Sequence, residues 1–159
     1  MVVFLPLIKH LYKDVAGKDE ALELYFESEL LTASAAELLK LNRQRDLITQ
    51  RTTAGIHRDE LSMQLAGQPF KSIASQGQRK SLLFALKLAE METLRKEKGF
   101  APLLLLDDVF EKLDEGRISN LLNKVCKENE GQVFITDTNE QRLSQHLDAI
   151  AIQYQLVRL

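Results

Sequence analysis

The second half of the chain alternates helical segments with short apolar runs. Apolar residues recur at helical spacing from about residue 75 to 98 and again over 115–129, and an apolar run lies between them. Further strand-like runs follow at 132–136 and 149–157, separated by a short helical segment. Strands that alternate with helices form a parallel sheet covered by those helices, so the pattern predicts an α/β fold.

The run Leu103–Leu106 is the centre of this pattern. Four leucines entered through Pro102 and closed by charge predict a strand that is buried on both faces of a parallel sheet. Gly99 is expected to end the helix before this strand.

The first half predicts a helix over 1–15, a turn at 17–20 and a strand over 22–27. Ser34 and Glu37 stand at capping-box spacing, and the helix that they start is expected to run to about Thr49. Three apolar side chains of this helix are expected to face inward: Leu38, Leu41 and Ile48. A polar loop, a strand over 61–65, a turn and a short returning strand over 70–73 are expected next.

Composition excludes several classes of protein. The 159 residues carry a net charge of −2, so bulk charge does not indicate a nucleic-acid partner. The single Cys126 rules out a disulfide within the chain, which suits a reducing cytosol and predicts a cytoplasmic location. The three histidines show no metal-ligand spacing, and no apolar run reaches the roughly 18 residues of a membrane span. The apolar N-terminus predicts a core helix rather than a signal peptide.

Charge is nevertheless uneven along the chain. Residues 61–98 hold seven basic and three acidic side chains, whereas residues 99–159 hold six basic and ten acidic ones. Such asymmetry usually reflects solvated helix faces. The sharper interpretation is a basic helix that meets an anion and an acidic strand end that meets a metal.

The acidic strand end consists of Asp107 and Asp108. Ligands of open α/β sheets bind at the carboxyl ends of strands, and there an acid can hold the magnesium of a nucleotide. A second acid can orient or deprotonate an attacking water. The alternative is an aspartate pair that only ends a strand and caps the next helix.

A second motif, Ser75-Gln76-Gly77-Gln78, starts the long helix. The N–H groups and the partial positive charge of a helix N-terminus suit a phosphate. Taken alone, the tetrapeptide is better explained as an ordinary serine cap. The double-aspartate strand about 30 residues later changes the odds in favour of a phosphate-binding role.

Together, Ser75–Gln78, Leu103–Val109 and Glu111–Asp114 resemble the signature, Walker B and D-loop series of an ABC-type ATPase head. Gly55–Leu61 narrows the resemblance to the RecF family of bacterial recombination mediators. Ile56 stands where that family usually has proline. The resemblance runs from near Met1 almost to the C-terminus.

The resemblance implies a fold and a division of the chain. RecF-like proteins carry a phosphate loop of the form G-x-x-x-x-G-K-[ST], and this sequence contains no such segment. The implied fold is the C-terminal part of an ABC-type P-loop ATPase head, a parallel sheet flanked by helices, preceded by the end of a mainly helical arm domain. The implied domains are 1–50 (arm, lobe II) and 51–159 (head), with Met1 interpreted as a cloning start.

The resemblance also assigns roles. Asp107 would coordinate Mg²⁺, and Asp108, which replaces the glutamate of most ABC ATPases, would handle the attacking water with slow turnover. Asp114 matches the D-loop aspartate near a dimer interface. Asp137 falls where many ABC proteins have a switch histidine. The signature residues would contact the γ-phosphate held by a second protomer: Ser75, Gln76, Gly77 and Gln78.

The function implied is that of an ATP- and Mg²⁺-dependent DNA-binding protein in replication, recombinational repair and the SOS response. Its expected partners are single- and double-stranded DNA, their junctions, a second protomer in an ATP-dependent homodimer, and mediators of the RecO/RecR type, with no membrane. The parent protein would hydrolyse ATP slowly, and the present chain alone would be inactive. Alternatives are a non-hydrolysing scaffold with a residual ABC-like fold and another SMC-like head.

The remaining candidates are basic. His57 and Arg58 are interpreted either as a loop facing DNA or the nucleotide, or as a buried pair that joins arm to head; the buried pair is favoured, and neither residue is given a catalytic role. Five cations are candidate DNA-phosphate contacts: Arg43, Arg45, Arg51, Arg79 and Lys80.

Overall fold

The computed structural model of the chain describes residues 3–158. Met1, Val2 and Leu159 lie outside this range, so the interpretation of Met1 as a cloning start falls on a residue that is not described. The helices in this range are α1 (Phe4–Ala16), α2 (Ala35–Thr49), α3 (Phe70–Ile73), α4 (Gln76–Lys98), α5 (Glu115–Leu122) and α6 (Glu140–Ala149). A π-helical turn, Asn123–Lys127, extends α5. The strands are β1 (Leu22–Glu27), β2 (Glu60–Leu65), β3 (Gln68–Pro69), β4 (Leu104–Leu106) and β5 (Val133–Ile135).

Helix α1 is a core helix, as predicted. Pro6 lies in its first turn, where a missing N–H breaks no helical bond. Gly17 ends it in the left-handed conformation at φ 72°, which glycine adopts without a steric penalty. Its buried face packs against α4 and α5. That face consists of Ile8, Leu11, Tyr12 and Val15.

Strands β1, β2 and β3 form an antiparallel sheet in that order. Leu22 pairs with Leu65 at one end of the β1–β2 ladder, and Glu27 pairs with Glu60 at the other. Leu22, Leu24 and Leu65 are buried, so the inner face of this sheet joins the core. The predicted strands at 22–27 and 61–65 are confirmed.

Strands β4 and β5 form the predicted parallel pair, with Leu104 opposite Val133 and Leu106 opposite Ile135. The expectation that this run is buried on both faces is wrong. Leu104 and Leu106 are buried, but Leu105 is 73% exposed. Alternate side chains of a strand point to opposite faces, and Phe134 of β5 is also exposed, so only the face that carries Leu104 and Leu106 joins the core.

Helix α2 begins at the predicted capping box and ends at Thr49, as expected. Its predicted inward face is only partly correct. Leu38 is buried, whereas Leu41 and Ile48 are 78% and 84% exposed. The helix projects from the core, and no other described element packs over those two side chains.

Two predicted strands are wrong. Residues 70–73 form the short helix α3, and the returning strand is the preceding pair Gln68–Pro69, which closes the turn onto β2. Residues 152–158 are not a strand, although the alternation predicts one. A strand is stabilised by hydrogen bonds to a neighbour, and no described strand pairs with this segment.

The other elements of the second half are confirmed. Helix α4 ends before Gly99, and α5 with its π-helical turn buries the four predicted side chains, Ile118, Leu121, Leu122 and Val125. A single apolar cluster runs from Ile8 to Ile150 and joins α1, α4, α5, α6 and both sheets. Among residues 3–158, no helix is both long and apolar enough to cross a membrane.

Candidate functional site

Asp107 lies at the carboxyl end of β4, beside the end of β5. The N–H of Thr136 donates to the carbonyl of Leu106 at 2.9 Å, which continues the parallel ladder by one residue. The hydroxyl of Thr136 donates to Oδ1 of Asp107. The side chain of Asp107 is exposed and is oriented by this bond, as a metal-binding carboxylate at a strand end requires.

Asp108 adopts a left-handed backbone conformation at φ 49°. Aspartate is several-fold enriched there among residues other than glycine. The ammonium group of Lys80 donates to the carbonyl of Asp108, which ties α4 to this turn. Burial lowers the pKa of Lys80, and the nearby Glu111 and Asp108 offset only part of that effect. Lys80 is therefore held at the strand end rather than directed into solvent.

The N-terminus of α4 is fixed by a complete capping box. Ser75 Oγ accepts from the N–H of Gln78 at 3.2 Å, and Gln78 Oε1 accepts from the N–H of Ser75 at 2.9 Å. Gly77 lies directly against the loop that follows β4: a Cβ there would be 3.2 Å from the carbonyl oxygen of Lys112. The signature-like tetrapeptide and the loop of residues 111–114 are thus in contact.

Asp114 caps α5. Its Oδ1 accepts from the N–H of Arg117 at 2.9 Å, and its Oδ2 accepts from Nε of Arg117 at 3.2 Å. The guanidinium group of Arg117 is buried and also donates to Oγ of Ser81 on α4 at 2.8 Å. The D-loop-like aspartate is therefore linked through one arginine to the long helix.

Glu20 completes this connection from the segment after α1. Its Oε1 accepts from Nη2 of Arg117 at 2.6 Å. Its Oε2 accepts from the hydroxyl of Tyr12 at 2.5 Å and from Nε2 of Gln78 at 3.2 Å. Burial alone would raise the pKa of Glu20, but bonds from Tyr12 and Gln78 and the charge of Arg117 together hold it below its ordinary value. Burial, followed by the bond to this carboxylate, raises the pKa of Tyr12 well above its ordinary range.

Asp137 follows β5, and its side chain is only 3% exposed. Arg142 donates to both of its oxygens at 3.4 and 3.2 Å, and the N–H of Asn139 donates to Oδ1 at 2.7 Å. The guanidinium of Arg142 also lies over the ring of Phe110, which stacks on His146 with centroids 5.2 Å apart. The carboxylate of Asp137, predicted to stand at the switch-histidine position, is thus engaged by an arginine.

The candidate metal site has one carboxylate. Within residues 3–158, no three His, Cys, Asp or Glu side chains are grouped to hold a metal ion. Mg²⁺ is commonly held by one or two carboxylates together with substrate phosphates and waters. Asp107 fits that use, with the hydroxyl of Thr136 as its neighbour.

A polar cavity of about 520 Å³ lies between α2 and the loop before β2. His57 and Arg58 line it and are exposed, so the favoured interpretation of a buried pair is wrong. The ring of His57 is instead held at the surface, with Nε2 3.0 Å from the carbonyl of Thr52. Arg45 and Arg51, two of the candidate DNA contacts, line the same cavity, as do Glu27, Glu29 and Glu60.

Sequence reasoning missed Glu20 and Arg117. Each looks like an ordinary charged residue, because its partners are distant in sequence. Gln78 and Arg117 lie 58 and 97 positions from Glu20, and Ser81 lies 36 positions from Arg117. The one local signal was the spacing of three residues between Asp114 and Arg117. Any capping aspartate has the same spacing to the third residue of its helix, so this signal does not point to Arg117.

Comparison with known proteins identifies the relatives of the chain. No protein-family model matches it. It is 40% identical over 156 residues to the DNA replication and repair protein RecF of Bacteroides thetaiotaomicron, a match that covers 98% of this chain and 42% of that protein. It is 41% identical over 139 residues to RecF of Flavobacterium johnsoniae, covering 87% of this chain and 39% of that one.

The chain is homologous to RecF. It matches a C-terminal part of RecF and spans about 42% of the length of the first of these relatives. Its fold also aligns with the solved structure of the recombination mediator protein RecF-ATP in the RecFOR pathway. The TM-score is 0.64 and the identity is 27%, over 86% of this chain and 38% of RecF. A second RecF structure, with ATPrS, aligns with a TM-score of 0.63. The α/β fold is that of the RecF ATPase head.

Proposed function

We propose that this chain forms the end of the arm domain and the C-terminal part of the head of an ATP-dependent DNA-binding protein that acts in DNA replication and recombinational repair. The observation that supports this most is the contact between three elements in a RecF homologue. Lys80 of α4 donates to the carbonyl of Asp108 beside the strand end, and Gly77 lies against the carbonyl of Lys112. Arg117 joins Asp114, at the end of the loop, to Ser81 of α4. In the proposed dimer, the strand end at Asp107 of one protomer and the start of α4 of the other would enclose one nucleotide.

Each element would have its own task. Asp107 would hold Mg²⁺, and Mg²⁺ would neutralise charge on the β- and γ-phosphates of ATP. Asp108 would orient or deprotonate the attacking water. Asp114 would lie at the dimer interface. The signature residues would bind the γ-phosphate held by a second protomer through N–H groups at the start of α4: Ser75, Gln76, Gly77 and Gln78.

ATP would therefore join two heads, and hydrolysis would separate them. The lysine and the N–H groups that hold the phosphates from the same protomer belong to a phosphate loop, which this sequence does not contain. The reaction requires a form of the protein that also carries that loop, called the phosphate-loop form below. We propose the division into arm (1–50) and head (51–159) for that form, with residues 4–27 sharing the core of the head, because α1 packs on α4 and α5 and β1 pairs with β2.

Double-stranded DNA, single strands or their junctions would bind to the assembled dimer. Arg45, Arg51 and Arg58 are the best-placed candidates for phosphate contacts, because they are exposed around one cavity. Lys80 is a weaker candidate, since its ammonium group is engaged with Asp108. By analogy with the recombination mediator RecF, the proposal also includes a role in the SOS response, partners of the RecO/RecR type and a cytoplasmic location.

Sedimentation of the phosphate-loop form tests the proposal. Mg-ATP should convert monomer into dimer, and Mg-ADP should not. Binding of labelled duplex DNA, followed by anisotropy at a fixed salt concentration, should strengthen with Mg-ATP. A protein that stays monomeric with Mg-ATP and binds DNA equally well without it would contradict the proposal.

A further inference from the structure

The ion pair between Glu20 and Arg117 lies in the interior, with side chains 7% and 9% exposed. Moving two charges out of water carries a large desolvation cost, so such a pair stabilises a fold little compared with apolar side chains of similar volume. Breaking the pair from one side, however, leaves a buried charge unmatched. Its more informative property is therefore what the two side chains hold in place.

On the arginine side, the pair fixes Asp114. Both carboxylate oxygens of Asp114 accept from Arg117, one from its backbone N–H and one from Nε. Two further donors of the guanidinium fork, on Nη1 and Nη2, reach Ser81 and Glu20 at 2.8 and 2.6 Å. Because the fork is planar and rigid, these bonds together determine how Asp114 is oriented relative to α4.

On the glutamate side, the pair fixes the start of α4. Glu20 Oε2 accepts from Nε2 of Gln78, and Oε1 of the same amide accepts from the N–H of Ser75. The side chain of Gln78 has one amide oxygen and one amide nitrogen, and both are engaged. The orientation of Ser75 is thus linked to Glu20 through two hydrogen bonds.

We propose that Glu20 and Arg117 are a positioning pair that sets the orientation of Ser75 relative to Asp114. The inference rests on the proposed function, in which these two residues meet nucleotide and partner protomer across a dimer interface. Neither member of the pair touches nucleotide. The pair presents both contact points together, so its loss should impair association and leave ATP binding by each protomer intact.

The test uses the variants Glu20→Gln and Arg117→Lys in the phosphate-loop form. Glu20→Gln keeps the size of the side chain and removes its charge. Arg117→Lys keeps the charge, but its single nitrogen cannot reproduce the planar fork that reaches Asp114, Ser81 and Glu20 from three different nitrogens. Calorimetry should give a dissociation constant for ATP within about twofold of that of the parent. Sedimentation should give a dissociation constant for the dimer that is higher by about tenfold or more, as expected when charged hydrogen bonds are lost.

Lys124→Met is the matched control. Lys124 bonds to Asp14 of α1 and to Glu128 at 2.9 and 2.7 Å, so it ties α1 to the turn that extends α5. It contacts neither Ser75 nor Asp114. We expect this variant to lose folding stability and to keep the dimer affinity of the parent.

Three outcomes decide the matter. A parent that does not dimerise with Mg-ATP overturns the proposed function and this inference with it. If the parent dimerises and both Glu20→Gln and Arg117→Lys dimerise with the affinity of the parent, the inference alone is overturned. If those variants do not fold, Ser81→Ala takes their place, because it removes only the 2.8 Å bond to Arg117. An unchanged dimer affinity in Ser81→Ala overturns the inference, and a several-fold loss of dimer affinity supports it.

Discussion

Arg117 donates a 2.6 Å hydrogen bond from Nη2 to Oε1 of Glu20, which lies 97 positions earlier in the chain. This bond joins the segment after α1 to the helix after the D-loop-like turn. The residues that resemble an ABC signature and a D-loop are therefore held by an ion pair that belongs to neither motif. The same pair makes the fold sensitive to acid.

The first prediction concerns pH. The pKa of Glu20 is lower in the folded chain than its ordinary value of 4.5, so the folded state releases this proton more readily than the unfolded one. The stabilisation from the carboxylate is then fully present above the unfolded value and is lost as pH falls through the folded value. In urea unfolding, the advantage of the parent over Glu20→Gln should shrink as the pH is lowered from about 7 to about 3.

Glu23→Gln is the control for this titration. Glu23 accepts from Lys9 at 2.9 Å in a half-exposed pair, and such pairs contribute about 0–1 kcal/mol. Its effect on the free energy of unfolding should be small throughout. An effect of Glu20→Gln that stayed constant over the whole pH range would contradict the assignment of a lowered pKa.

The second prediction concerns the 159-residue chain by itself. Without a phosphate loop, it lacks the N–H groups and the lysine that hold the β- and γ-phosphates. We expect no measurable ATP hydrolysis and at most weak nucleotide binding. Calorimetric titration with Mg-ATP checks this, and a dissociation constant in the micromolar range would refute it by indicating a phosphate site elsewhere in the chain.

The third prediction separates the two aspartates in the phosphate-loop form. Asp107→Asn should weaken nucleotide binding in the presence of Mg²⁺, because a carboxylate that holds a metal is lost. Asp108→Asn should keep binding, slow hydrolysis and prolong the ATP-bound dimer, because asparagine accepts the same left-handed backbone but is no base. Hydrolysis by Asp108→Asn at the parent rate would show that Asp108 does not handle the water.

Local chemistry explains which parts of the fold could be predicted from sequence. The capping box at Ser34, the serine cap at Ser75 and the stop at Gly99 depend on neighbouring residues, and all three are confirmed. The exposure of Leu41 and Leu105 could not be predicted, because it depends on which elements lie above them. The periodicity of an apolar face is the same whether or not that face is covered.

The candidate site shows the same division. Asp107 could be placed at a strand end from the leucine run, and Ser75 at a helix start from its cap. Their connection could not be predicted, since it runs through Glu20 and Arg117, whose partners are distant in sequence. The alternation at 149–157 predicted a strand because the pattern indicates propensity, whereas a strand also needs a neighbour to pair with.

The fourth prediction concerns Ser75, which in this account contacts the nucleotide of the partner protomer. Ser75→Arg places a bulky side chain between the start of α4 and the γ-phosphate. The variant should bind ATP through its own phosphate loop and fail to dimerise. If Ser75 only caps its helix, substitution should cost about 1 kcal/mol of stability and leave association unchanged.

Ser34→Arg is the matched control, because Ser34 forms an equivalent capping box with Glu37 on the projecting helix α2. It should lose a similar amount of stability and dimerise like the parent.

The most direct test is analytical ultracentrifugation of the phosphate-loop form with Mg-ATP, comparing the parent, Ser75→Arg and Ser34→Arg. The account predicts dimers for the parent and for Ser34→Arg and monomers for Ser75→Arg. A Ser75→Arg variant that is destabilised but still dimerises with ATP would contradict the assignment of the start of α4 to the nucleotide site of a partner.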